Sequence, residues 1–506
     1  MIALPSHPVL STLQARELEA GLFEGSEARE WRAMTAAGRG VAAAVLRDAA
    51  EAGGLAVDAR ILVLAGKGNN AGDGLIAART LLEHLPKASA EVLFVFGSRR
   101  LRPLAARAWR ELADAFPRRV RSVGASRLSK AYDLSLGAIF GAQYRPPLGP
   151  EAEAAIAAAS LCRVRFSAGV DLPSGLDDPG AFRADFTYAT GCVKAPLLCC
   201  RNAGRPRYLD LGFFPEEFDR KIRAISGDRV LLGRLLAPLA GLRPAHGDKR
   251  SQGHLVFMGG SANFPGAALM ATRAALRSGV GLVTALVPER LACVFAAQAP
   301  EAMWVGLPET PSGGLSSKGL PLAEKAMERA SAVAIGPGIG REPDTLAFAA
   351  AVAKAAKVPL AVDADALQPE IVRAASVPRV LTPHAGEYAR IAGTADLRAY
   401  CSGLPAVVVQ KGPVTRVSDG GAVYHSFFGG PVLARGGSGD LLAGLVGGLL
   451  AQTPDDPLLA ACRAAVWHGA AADALARAQG QTAVHTLQVL DFLATALKES
   501  VQCQEH

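Results

Sequence analysis

In the stretch VLARGGSGDLLAGLVGGLLAQ (432–452), Gly436, Gly437, Ser438 and Gly439 stand directly before Asp440 and a strongly apolar run. Glycine lets successive backbone N–H groups turn into one cavity, and the start of a helix adds partial positive charge. The result is an anion hole with a carboxylate beside it. That pairing suits transfer of a phosphoryl group to an alcohol: the hole steadies the developing charge and Asp440 takes the hydroxyl proton. The same residues also describe an ordinary helix start, where the dipole favours an aspartate. The reading therefore depends on what else converges there. Lys411 and Thr415 flank a glycine turn in AVVVQKGPVTRVSDGGAVY (406–424) that can hold a nucleotide phosphate. AIGPGIGR (334–341), Asp363 and Asp365 in VDADAL (362–367), and His384 and Glu387 in VLTPHAGEYARI (380–391) occupy further strand ends. His384 has an ordinary reading as a capping or core residue, and Glu387 suits the first turn of a helix. His468 and His485 read as structural.

The first half of the chain carries a different set. ILVLAGKGNNAGDGLIAARTLLEH (61–84) is an apolar strand, a glycine-rich turn and an Ala/Leu helix. Free N–H groups at the new helix suit a phosphate, and the Asn69 and Asn70 carbonyls suit a hard cation or ligand amides. The ordinary alternative is a tight turn with Asp73 as the helix cap. SAGVDLPSGLDD (167–178) ends a second strand at Asp171 and turns through Pro173, Ser174 and Gly175.

These residues need scaffolds that bring strand ends together. Apolar runs such as EVLFVFG (91–97), HLVFMGG (254–260) and GLVTALV (281–287) alternate with Ala/Leu/Arg stretches of helical period. Runs that are apolar throughout fit parallel strands buried on both faces. Ligands of such α/β sheets sit beyond the carboxyl ends of the strands. A chain of 506 residues exceeds the roughly 250–300 that one core serves, so two α/β domains are expected. The charged stretch around 215–228 marks the join, placed at 222/223, giving domains 1–222 and 223–506. The net charge is +8, but Lys+Arg (54) and Asp+Glu (46) are interspersed. No basic–aromatic stripe marks a nucleic-acid partner. Eight cysteines without a C-x-x-C pair argue against a metal or disulfide framework. No run approaches the roughly 18 apolar residues of a membrane span. A cytoplasmic enzyme is expected, and a homo-oligomer with it; the Ala-rich helix at 39–50 suits packing against a second copy as well as against its own sheet.

Taken together, the motifs carry two family resemblances. G-x-G-N-N-x-G-D-G followed by V-D-x-P-S-G-L-D resembles the NAD(P)H-hydrate epimerase family from about Leu13 to Phe214. Met34–Gly38, Lys194 and Asp210 fit the same pattern. GGS…GA, IGPG, DADAL, TPHxGE, KG…T and GGSGD, in this order from about Leu235 to Leu497, resemble the ADP/ATP-dependent NAD(P)H-hydrate dehydratases, a branch of the ribokinase-like fold. The resemblance implies a Rossmann-like three-layer domain followed by a ribokinase-like α/β/α domain. It implies that Asn69, Asn70, Ala71, Gly72 and Asp73 contact hydrated cofactor, that Asn70 and Ser174 ligate potassium, and that Asp171 is the acid–base group. In the second half it implies that Lys411, Gly412, Pro413, Val414, Thr415 and Gly439 bind ADP or ATP, with magnesium on the phosphates. Ala267, Gly338, His384 and Asp440 would bind NADH-hydrate or NADPH-hydrate, with Asp440 as base.

Three stretches depart from these patterns. In LGAIFGAQYRPPLG (136–149), Gly137 stands where the epimerases have an aspartate that ligates potassium, and Ala142-Gln143 replace half of the glycine turn. Removing a carboxylate takes both charge and an oxygen from a cation site. Weakened or absent potassium binding is expected, with epimerase activity weakened or lost. His246-Gly-Asp-Lys249 replaces His-Lys-Gly, and Gly430-Pro431-Val432 replaces Asn-Pro-Gly. The competing reading is a ribokinase-like small-molecule kinase with a non-catalytic N-terminal binding or oligomerisation module.

Overall fold

A computed structural model of the chain describes residues 4–214, 227–243 and 245–502. The expected join at 222/223 lies outside the described residues. These fall into two compact units, one over 7–214 with 476–480, the other over 4–6, 227–475 and 481–502.

The first unit holds a seven-stranded sheet, its strands all paired in parallel. Their spatial order is Val120–Ser122, Ser89–Phe94, Arg60–Ala65, Ala131–Ala138, Arg163–Val170, Phe186–Thr190 and Arg205–Leu209. Ile61, Val63, Leu136, Ala138 and Val170 face one core with the helices Glu27–Ala49, Asn69–His84 and Pro103–Ala115. Leu62, Leu64 and Ile139 face the other way, toward the helix Pro150–Ser160. Burial on both faces is why these runs are apolar throughout.

The Met34–Gly38 element sets the pose of the helix Asn69–His84. A Cβ on Gly72 would lie 2.4 Å from the Met34 sulfur, and one on Gly38 would lie 2.6 Å from Ile76 and 2.8 Å from the Asp73 carbonyl oxygen. Only glycine at both places permits this approach. Val41, Ala42, Ala44 and Val45 then continue into the unit's own core, so this face of the Ala-rich helix is used internally.

The second unit runs Met303–Leu307, Leu282–Pro288, His254–Met258, Ala332–Ile335, Leu360–Val362, Arg379–Leu381 and Ala406–Gln410 in parallel order. Thr415–Ser418 and Val423–Ser426 continue it antiparallel, and Asp228–Leu231 pairs in parallel with the latter. Helices cover both faces. The central one, Ser438–Gln452, is buried at every position from Leu441 to Ala451, which explains its lack of a polar face. It presses on the helix Pro265–Arg277: a Cβ on Gly444 would lie 2.1 Å from the Ala271 carbonyl oxygen. Gly448 similarly abuts the Ser278 hydroxyl, at 2.1 Å. Among the described residues, no helix is long and apolar enough to cross a membrane.

Backbone contact of this kind has no slack. Gly444→Ala is expected to destabilise the second unit by about 1–3 kcal/mol despite alanine's better helix propensity, read as a lower urea midpoint with an unchanged slope.

Candidate functional site

In the second unit, the residues singled out from the sequence join into a ring of contacts at the strand ends. Gly338, with φ +71°, turns back so tightly that a Cβ there would lie 2.8 Å from the Ala267 Cβ. Gly336 in the same turn abuts the Asp363 carbonyl oxygen, at 1.9 Å from its own would-be Cβ. Asp363, buried, accepts hydrogen bonds from Lys411 Nζ at 2.9 Å and Thr382 Oγ1 at 2.7 Å. Lys411 Nζ lies 3.3 Å from the would-be Cβ of Gly439, in the turn before Asp440. Gly437, with φ +88°, packs on Met270, one helical turn beyond Ala267, which closes the ring.

The helix Ser438–Gln452 begins here, capped by Gly437 without a side-chain hydrogen bond. The N–H groups of its first turn have no intrahelical acceptor. They and the Lys411 ammonium form a positive rim. Burial works against the Lys411 charge, but Asp363 and then Glu387, 3.7 Å away, hold its pKa above the ordinary lysine value. Burial, with the Asp363 carboxylate adding to it, pushes Asp440 up to about 7, against the pull of Lys411. The proposed base thus changes charge near neutral pH.

His384 does cap a helix. Its Nδ1 accepts from the N–H groups of Gly386 at 3.0 Å and Glu387 at 3.3 Å, and Glu387 returns the bond to the His384 N–H at 2.8 Å. With Nδ1 accepting, the ring proton sits on Nε2. The side chain is 60% exposed, and its Nε2 lies 3.4 Å from Glu387 Oε1. Gly412, Pro413, Val414 and Thr415 make the partly exposed hairpin turn beside Lys411. The divergent Gly430–Val432 stretch leads into the same site: Leu433, which follows it, offers its carbonyl to Ser438 Oγ at 2.6 Å.

The first unit assembles a second cluster. Gly68 caps the helix that starts at Asn69, with no side-chain cap bond, so Asp73 lies inside the helix and is not its cap. Ala71 and Gly72 are buried behind it. Asn70 Nδ2 donates to the Phe140 carbonyl at 2.8 Å. A Cβ on Gly141 would lie 2.9 Å from Asp171 Oδ2 and 3.4 Å from Asn70 Cγ, so three strand ends meet. The turn still closes without the expected glycine pattern, through a Tyr144 N–H to Gly141 carbonyl bond of 3.0 Å.

Asp171 holds φ at +66°, in the left-handed region that costs a non-glycine residue energy. Its carboxylate receives the ammonium of Lys194, which also donates to the Thr190 carbonyl at 3.2 Å. Lys194 is buried, which disfavours its charge, yet Asp171 keeps its pKa above the ordinary value. Desolvation, reinforced by Asp171 and then Glu19, raises Asp73 well above the usual carboxylate range. Glu19 was not singled out from the sequence, and Thr382 entered only as the first residue of the TPHxGE turn. Glu19 carries no local signal, since it matters only through distant partners.

Two family profiles match the chain: NAD(P)H-hydrate dehydratase over residues 255–494 and YjeF-related protein N-terminus over residues 31–196. The bifunctional NAD(P)H-hydrate repair enzyme Nnr of Gloeobacter violaceus is 35% identical over 532 residues, covering 98% of each chain. That of Moorella thermoacetica is 34% identical, covering 88% of each. The chain belongs to the bifunctional NAD(P)H-hydrate repair enzymes. A solved structure of the ADP/ATP-dependent NAD(P)H-hydrate dehydratase from Bacillus subtilis, co-crystallized with ATP/Mg2+, is 28% identical. It covers 51% of this chain and 94% of its own, with a TM-score of 0.45. Within this family frame, the Lys411–Asp440 cluster lies inside the dehydratase match and the Asn70–Asp171 cluster inside the N-terminal match.

The buried Lys194–Asp171 pair gives a direct check of the second cluster. Lys194→Met leaves a carboxylate buried without its partner and is expected to destabilise the first unit by about 3–5 kcal/mol. Adding Asp171→Asn should recover much of that loss, read by urea unfolding of both variants.

Proposed function

We propose that the second unit dehydrates S-NADH-hydrate and S-NADPH-hydrate at the expense of ADP or ATP, and that the first unit interconverts the R and S hydrates. The observation that carries the dehydratase reading is the ring joining Ala267, Gly338, Asp363, Lys411 and Gly439 beside Asp440. Those residues come from turns far apart in the sequence, and their mutual contacts support the reading.

Hydroxide is a poor leaving group from C6 of the hydrated ring. Asp440 takes the C6 hydroxyl proton as that oxygen attacks the terminal phosphorus, and AMP or ADP departs. The new phosphate ester then leaves as phosphate, pushed by the lone pair of the ring nitrogen. Loss of a proton from C5 restores the dihydronicotinamide. The first-turn N–H groups and Lys411 steady the charge on the transferred group. His384 Nε2–H and the Ala267–Gly338 wall hold the hydrated cofactor, while Gly412–Thr415 hold the nucleotide.

Magnesium fits as a companion of the nucleotide phosphates, where it offsets their charge. Among the described residues, no group of three or more His, Cys, Asp or Glu side chains is arranged for a metal. Asp363 is already engaged by Lys411 and Thr382. Magnesium commonly binds in this way, through substrate phosphates and water.

In the first unit, Asp171, held by Lys194 and facing Gly141, is the acid–base group at C6, taking the hydroxyl proton as the C6–N1 bond opens and returning it when N1 closes on the other face. The kinase alternative is not favoured, because the relatives' similarity spans both halves of the chain.

The test combines products and pH. With S-NADH-hydrate, magnesium and ADP or ATP, the enzyme is expected to return NADH and free phosphate in equal amounts; a stable phosphate ester instead would identify a kinase. Asp440→Asn should cut turnover about 10²–10⁴-fold. Because the base must be ionised, kcat/KM should rise with pH through about 7. Asp363→Asn removes a like charge, so it should move that rise to lower pH.

A further inference from the structure

The family resemblance calls for potassium between Asn70, Ser174 and an aspartate at position 137, but the residues present do not fit it. Gly137 lies in the strand Ala131–Ala138, between Leu64 and Gly169 of its neighbours. A Cβ there would lie 2.6 Å from two ring carbons of Phe182 and 2.9 Å from a third. The ring fills the room that a carboxylate's first carbon needs. It has little freedom to leave, being buried with Leu62, Leu64 and Ile139. The Phe182 N–H is tied at 2.9 Å to the carbonyl of Ser174, itself an expected ligand.

The Ser174 hydroxyl is also engaged. It is fully buried, and its Oγ accepts the N–H of Ile139 at 3.2 Å and of Phe140 at 3.1 Å. A hydroxyl has two lone pairs, so neither is left for a cation. Asn70 retains a buried Oδ1 without a hydrogen-bond partner, its amide fixed by the bond to Phe140. Of three expected donors, one is absent, one is saturated, and one neutral oxygen remains. Hard cations need several oxygens around them.

We infer that the N-terminal site works without a potassium ion: Phe182 occupies the lost carboxylate's room, and Asn70 Oδ1 accepts a hydrogen bond directly from a substrate N–H or O–H. The donor is a carboxamide or hydroxyl of the hydrated ring. That last part rests on the epimerase reading, whereas the absence of the cation does not.

The experiment uses the full chain in potassium chloride or, at equal ionic strength, N-methyl-D-glucamine chloride. Hydrogen–deuterium exchange is followed in peptides covering 61–84 and 131–145, with R-to-S conversion of NADH-hydrate measured alongside. Equal exchange and equal conversion rates in both salts are expected. Saturable protection of those peptides by potassium, or conversion that requires it, overturns the inference. Absence of conversion in both salts sinks the epimerase reading and its substrate hydrogen bond, while equal exchange still upholds the cation-free site. The double variant Gly137→Asp/Phe182→Gly returns the carboxylate and its room, and should gain potassium-dependent protection in the same peptides. If it gains none, position 137 is not what excludes the ion, and the inference falls.

Discussion

Two sheets whose main runs of strands are parallel and covered on both faces leave their carboxyl edges as the places where polar side chains can gather. Everything functional in this chain follows from that constraint. The strands are short, and their interiors are mainly apolar, with a few buried polar residues such as Glu91, Ser135 and Thr284. Charges that cannot be tolerated inside appear immediately after the last apolar residue, as Asp171 does after Val170 and Asp363 after Val362. Parallel pairing then puts these turn residues side by side, because every strand in the run points the same way. A residue's chemistry is set by its neighbours at that edge, and those neighbours come from distant sequence.

The two edges solve the problem of a buried charge differently. In the second unit, Lys411 is shared between Asp363 and Glu387, and Asp440 stands beside the group with no ion pair of its own among the described residues. Its proton affinity is therefore high for a carboxylate and well matched to a neutral cell. In the first unit, Lys194 binds Asp171 directly, and burial, with Asp171 and then Glu19 adding to it, raises Asp73. One arrangement leaves a base poised to titrate; the other locks a carboxylate in place and raises its neighbour.

Much of this was legible in the sequence. Apolar runs marked the strands, and glycine clusters marked the turns that carry the sites. The order of those turns made the family resemblance specific. The glycine-turn geometry at Gly336, Gly338 and Gly437 followed as expected, and His384 took the capping role considered for it. What could not be read was pairing across distance. Nothing near Asp363 announces Thr382 and Lys411 as its partners. Asp73 reads as a cap only until the helix is seen to start at Asn69. Gly137 was visible as a missing aspartate, but Phe182, 45 residues later, has no motif to connect it with that loss.

The Gly137–Phe182 contact also has a historical consequence. A ring lodged against a glycine makes the return path two-step: aspartate cannot re-enter at 137 until the side chain at 182 shrinks, and shrinking 182 alone opens a void in the core. Each single change is disfavoured although the pair is compatible. Such a lock works as a ratchet.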